Sequence, residues 1–269
     1  MESQGATGLT TMTVPDLVAA LLSGGIIGLI LGLIGGGGSI LAVPLLVYVV
    51  GVGSTHEAIG TAAVAVAANA LVGLVGHARA GHVKWRCAGV FAFAGMTGAA
   101  IGSEIGKAMD GGRLLMLFGL LMVGVGLSML RKRRQLEAPD VRLTRASASA
   151  LLPRLIPIGL GVGLAAGFFG IGGGFLIVPG LIAATAMPLV YAIGTSLVAV
   201  TALGATTAAS YAFSGYVDWP LVAILIVGGA IGSVIGMALG RRLAEHKGML
   251  ERLFAGLVII VGLYIALRG

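Results

Sequence analysis

The chain has 269 residues, of which 58% are hydrophobic and 10% charged, with a mean hydropathy of +1.07. Soluble domains carry about 25% charged residues, so this composition excludes a water-soluble globular protein and indicates an integral membrane protein. The excess of 17 Lys and Arg over 10 Asp and Glu fits the basic loops of membrane helices, and no nucleic-acid motif accompanies it.

Apolar runs of about 20 residues, the length of a helical span, recur with polar breaks between them. They lack the alternation of barrel strands, so the expected class is an all-α polytopic membrane protein. Residues 1–13 form a polar tail without Lys or Arg. The charged n-region of a secretory signal is therefore missing, and the first apolar run is expected to stay in the protein.

Val14 to Tyr48 is one apolar region broken by Gly24, Gly25, Gly28, Gly32 and the run Gly35-Gly36-Gly37-Gly38-Ser39. It reads either as two passes or as a re-entrant hairpin. Spans follow at about 56–78, 85–105 and 114–130, separated by the basic loop 77–86 and the turn 107–113. Residues 131–153, opening on Arg131-Lys132-Arg133-Arg134, read as a basic cytoplasmic linker between a first membrane repeat (14–130) and a second (154–269).

The second half repeats the first. At an offset of 135, Gly35, Gly37 and Gly38 fall on Gly170, Gly172 and Gly173, and Val43-Pro44 on Val178-Pro179. At an offset of 134, Ile59-Gly60-Thr61 falls on Ile193-Gly194-Thr195, Trp85 on Trp219, and Gly98 and Gly102 on Gly232 and Gly236.

Charge orients the two copies. If the second is inverted, the loops at 77–86, 131–154 and 241–252 share one side and hold 14 of the 17 Lys and Arg; a parallel arrangement splits them 11 to 6. The positive-inside rule therefore favours two inverted repeats, each with a Gly-rich broken or re-entrant segment and three further spans. The cell inner membrane is the expected location.

Inverted repeats interrupted at matching glycines place a binding site between the copies, on broken helices. Gly35, Gly36, Gly37, Gly38 and Ser39, with Gly170, Gly172, Gly173 and Gly174, are expected to open two helices whose free N–H groups and positive dipole ends face one anion. Ser39 adds a hydroxyl that Gly174 cannot. Scattered glycines such as Gly28, Gly98 and Gly102 are expected to serve close helix packing.

Thr61, Asn69, Thr195 and Ser196 on the neighbouring spans complete the candidate substrate-binding set, although membrane Thr and Ser often bond their own helix. Asn69 stands out because a mid-span amide needs a partner. Thr201, Thr206 and Thr207 form a further polar patch. Glu104 is expected at the interface, His77 and His82 in solvent, Cys87 in packing, and Trp85 and Trp219 as interfacial anchors.

No catalytic constellation, metal cluster or cofactor motif is visible, so neither enzyme nor cofactor is expected. A transporter drawing on a proton gradient is the primary reading, and a passive anion channel the alternative. Oligomeric state is left open.

The two segments Gly35-Gly36-Gly37-Gly38-Ser39-Ile40-Leu41-Ala42-Val43-Pro44 and Gly170-Ile171-Gly172-Gly173-Gly174-Phe175-Leu176-Ile177-Val178-Pro179, each followed by Ala-Ile-Gly-Thr at 58–61 and 192–195, resemble those of the TauE/SafE family of sulfite exporters. The likeness spans nearly the whole chain apart from the tail and linker. It implies a secondary transporter that moves a small sulfur oxyanion such as sulfite, or an organosulfonate, out of the cell.

Overall fold

A computed structural model describes residues 14–34, 36–130, 143–170, 174–242 and 247–268. All regular structure among them is helical: α1 (Val14–Ile34), a 3-10 turn (Gly36–Leu41), α2 (Ala42–Leu45), a π segment (Leu46–Val50), α3 (Thr55–Arg79), α4 (Trp85–Lys107) and α5 (Gly111–Leu130). Then follow α6 (Arg145–Phe168), α7 (Gly174–Thr185), α8 (Leu189–Phe213), α9 (Trp219–Arg242) and α10 (Lys247–Arg268). Seven helices among the described residues are long and apolar enough to cross a membrane. The polar tail and residues 131–142 of the linker lie outside the described residues, and residues 145–153 form the opening turns of α6.

Local chemistry sets the helix boundaries. The Ser54 hydroxyl accepts the Glu57 N–H at the start of α3, Thr144 and Ser147 close a capping box on α6, and the Asp110 carboxylate accepts the Gly112 and Arg113 N–H groups at α5. Each satisfies donors that the first helical turn leaves open. At its far end α6 stops on Gly170, whose φ of +66° lies in the left-handed region. A side chain there would be strained, and its Cβ would also overlap the Ile59 side chain.

The region left open between two passes and a hairpin resolves into a long arm and a short one. α1 has 21 residues, about 31 Å at 1.5 Å per residue. The arm 36–50 folds back along it, and Leu45 and Val49 share one apolar groove with Val18 and Leu22. Pro44, which offers no N–H, stands between the 3-10 and π stretches, whereas Pro179 is carried inside an unbroken α7.

Packing pairs the halves crosswise. α1 runs parallel to α9, with Gly24 against Leu225, Gly28 against Gly229 and Gly32 against Ser233. α6 runs parallel to α4 in the matching register, Gly159 against Phe91, Gly163 against Gly95 and Gly167 against Ala99. A Cβ on Gly28 or Gly163 would overlap the facing carbonyl, as would one on Gly98 or Gly102, so these glycines serve close packing as expected.

Equivalent helices meet head to tail. Gly73 of α3 faces Leu197 of α8, while Gly204 faces Ala63 and Ala67. Likewise Gly119 of α5 faces Gly262 and Ala266 of α10, and Gly126 faces Ala255 and Ile259. α3 and α8 form the buried centre, and the two short glycine-led arms pack on each other beside them.

Candidate functional site

Where the two short arms meet, the 3-10 turn carries Gly36, Gly37, Gly38 and Ser39, and Gly174 opens α7. Gly35, Gly172 and Gly173 fall outside the described residues. Ser39 is completely buried. Gly38 touches backbone rather than open space: a Cβ there would meet Ile27 O at 2.7 Å and overlap the Leu31 N–H. Its glycine is needed to seat the arm on α1. The second arm opens a regular helix as the sequence suggests, whereas the first opens as a 3-10 turn.

Asn69 is wholly buried in α3. Its Nδ2 donates to the Leu225 carbonyl at 3.3 Å, and its amide lies so close to Gly229 that any side chain there would collide with it. Oδ1 has no hydrogen-bond partner among the described residues. At the equivalent place in the second half, Leu203 presses on Gly95 in the same manner. Asn69 therefore puts an amide where the duplicated scaffold has an alkyl group. A buried acceptor left unpaired costs about 1–3 kcal/mol, which marks the position as one where stability has been given up.

Thr61 and Thr195 occupy equivalent structural posts. Thr61 Oγ1 accepts the Asp218 N–H at 3.0 Å, and Thr195 Oγ1 accepts the Lys84 N–H at 3.0 Å. One residue earlier, Gly60 lets the Tyr216 carbonyl approach its backbone, and Gly194 does the same for His82. Each Gly-Thr pair thus clasps the loop that leads into α9 or α4 of the other half. Thr61→Ala and Thr195→Ala are expected to lower stability by about 1 kcal/mol each and by similar amounts, checked by thermal unfolding in detergent.

Ser196 Oγ donates to the Ile193 carbonyl at 2.8 Å within its own helix. Thr201 and Thr206 also bond back to carbonyls four residues earlier, whereas the buried Thr207 hydroxyl has no partner among the described residues. Of the thirteen residues proposed from sequence, Gly36 to Ser39 lie on the arm that packs against the helix opened by Gly174, and Asn69 lies on α3 facing α9.

The termini of α3 and α8 carry clustered aromatic and histidine rings. His77 and His82, expected in solvent, are half-buried and packed at a tilt with ring centroids 5.9 Å apart. His56 packs against Tyr211 and Tyr216 at the opposite end. The signal was available, because at the 134 offset His77 falls on Tyr211 and His82 on Tyr216. Glu104 pairs with Lys107 at 2.7 Å and is mostly exposed, as an interfacial carboxylate should be. Trp85 and Trp219 open α4 and α9 and are exposed.

A family profile described as sulfite exporter TauE/SafE matches residues 20–265. A probable membrane transporter protein of Xylella fastidiosa (strain 9a5c) is 50% identical over 264 residues, covering 96% of this chain and 98% of its own. Probable membrane transporter protein YunE of Bacillus subtilis (strain 168) is 26% identical over 245 residues, covering 85% and 90%. No solved structure matches.

Proposed function

The chain belongs to the sulfite exporter TauE/SafE family of multi-pass membrane transporters, and from that premise we propose that it exports a small sulfur oxyanion or organosulfonate by alternating access, driven by a proton gradient. The single observation that carries this reading is the meeting of two short, glycine-led arms from matching places in the two halves. Broken helices at a repeat interface are where secondary transporters hold their cargo. The head-to-tail contacts of α3 with α8 and of α5 with α10 support inverted repeats, which give the two sides of the membrane equivalent machinery.

Ser39 and the N–H groups of the two arms supply hydrogen-bond donors without a fixed cation, so an anion can be held and released. Asn69 would contribute its amide from the α3 side. Thr61 and Thr195 belong to this reading as anchors of the surrounding loops, and Ser196 as a hydroxyl next to the path.

The test is flux in proteoliposomes with labelled sulfite, sulfate and a sulfonate across an imposed pH gradient. Saturable flux of at least one of them, accelerated by the gradient, is expected. No saturable flux of any would sink the substrate class, and flux indifferent to the gradient would sink the coupling.

A further inference from the structure

Both ends of the central α3/α8 pair are closed by the same construction. At one end His56, near the start of α3, packs at a tilt against Tyr211, near the end of α8, and against Tyr216 of the following loop, at centroid separations of 6.4 and 5.5 Å. At the other end Tyr191, near the start of α8, meets His82 at 6.1 Å, and His82 meets His77, near the end of α3, at 5.9 Å. Histidine and tyrosine have exchanged places between the ends, yet the three-ring arrangement persists.

Each cluster also has a lysine. Lys107 Nζ lies 5.9 Å from the Tyr211 ring centroid, and Lys84 Nζ 4.3 Å from that of Tyr191. The lysines are not equivalent in the repeat: one ends α4 and the other precedes it. Two different elements thus deliver an ammonium to the same kind of place.

What these groups share is donor chemistry: imidazole N–H, phenolic O–H and ammonium. Asp218 is engaged on the α9 N-terminus, whereas Glu104 pairs with Lys107 itself, whose Nζ also donates to Ser210 O and Ser214 Oγ, so at the first end the donors left for a ligand are those of the rings. At the first end the Tyr211 hydroxyl is completely buried, and neither it nor the buried His56 Nδ1 has a hydrogen-bond partner among the described residues. Aromatic walls lower the local dielectric, which strengthens each charge-assisted bond to an anion.

We propose that the two clusters are anion-binding stations at the two mouths of the path, His56 and Tyr211 holding a small oxyanion at one mouth and His82, Tyr191 and Lys84 at the other. This rests on the transporter reading above and adds to it two places where cargo pauses outside the glycine arms. The basic loop 77–86 places the His82 station on the cytoplasmic side.

Stations at opposite mouths make a directional test. Half-saturation concentrations for labelled sulfite are measured in right-side-out and inside-out vesicles, and the melting midpoint of the purified protein is measured with and without sulfite or sulfate. Tyr211→Phe is expected to raise half-saturation about tenfold to a hundredfold, the value of one bond to a charged group, only for anion presented outside. Tyr191→Phe should do so only for anion presented inside, with maximal flux unchanged in both. His56→Phe is the second probe of the outer station should Tyr211→Phe not fold.

A change in maximal flux alone, an equal change from both sides, or no change would overturn the stations while wild-type flux upholds the transporter. If wild type carries no saturable flux, the melting measurement decides. Anion-induced stabilisation that the combined Tyr191→Phe and Tyr211→Phe substitutions abolish keeps the stations and discards transport of these anions; no stabilisation discards both.

Discussion

Asn69→Leu is expected to yield a protein at least as stable as wild type that transports no anion. The substitution copies into the first half the residue that the second half already has, since Leu203 stands in the equivalent place and packs on Gly95 as Asn69 packs on Gly229. The volume is therefore accommodated. Removing the amide loses one hydrogen bond to Leu225 O, worth about 1 kcal/mol, and relieves an unpaired Oδ1 that costs about 1–3 kcal/mol. Thermal unfolding and proteoliposome flux measured on one preparation separate the two effects. Unchanged flux in a stable Asn69→Leu protein would remove Asn69 from the substrate set. The reciprocal change, Leu203→Asn, would place a second unpaired amide in the core and should lower stability.

Gly28→Leu and Gly163→Leu are each expected to prevent assembly of the folded protein. Any Cβ at either position overlaps a backbone carbonyl, of Gly229 in one case and Gly95 in the other, and no rotamer change relieves a clash with backbone. Overpacking costs about 1–3 kcal/mol where neighbours can shift and more where they cannot. Gly161→Leu is the matched control, because nothing lies within 4 Å of a Cβ at Gly161, and it should stay within about 0.5 kcal/mol of wild type. Monodispersity on size exclusion and the unfolding midpoint check all three. Near-equal damage from the two clashing variants is the specific expectation, since they occupy matching posts; intact folding of either would contradict the packing described.

Composition and the internal repeat made the helical membrane class and the pairing of the glycine arms legible from sequence, because span length and glycine spacing are one-dimensional signals. The scattered glycines were also legible as packing positions, since small residues recurring at helical spacing leave little else for them to do. Thr61 and Thr195 were harder. Their hydroxyls accept N–H groups more than 100 residues away, and nothing in the local sequence distinguishes such a clasp from a ligand contact. For His77 and His82 a basic loop suggests solvent, whereas His82 packs on Tyr191 from a helix of the other half and His77 on His82. Asn69 announced itself through the rule that a mid-membrane amide needs a partner. That its Oδ1 stays unpaired follows from the seat against Gly229, which only three dimensions reveal.

The crosswise pairing of α1 with α9 and of α4 with α6 also governs how the protein comes into being. The stripe of glycines along α1 emerges from the ribosome long before residues 219–242 exist to cover it. Until then its close-packing face meets lipid or a provisional neighbour, and the first half waits as an open set of helices. Completion of α9 is the event that locks α1, while α6 locks α4 earlier in synthesis. The two halves are thus not successive products but one knitted article, closed by nearly its last stitch. Truncation before α9 should leave material that inserts into the membrane yet never acquires the native fold.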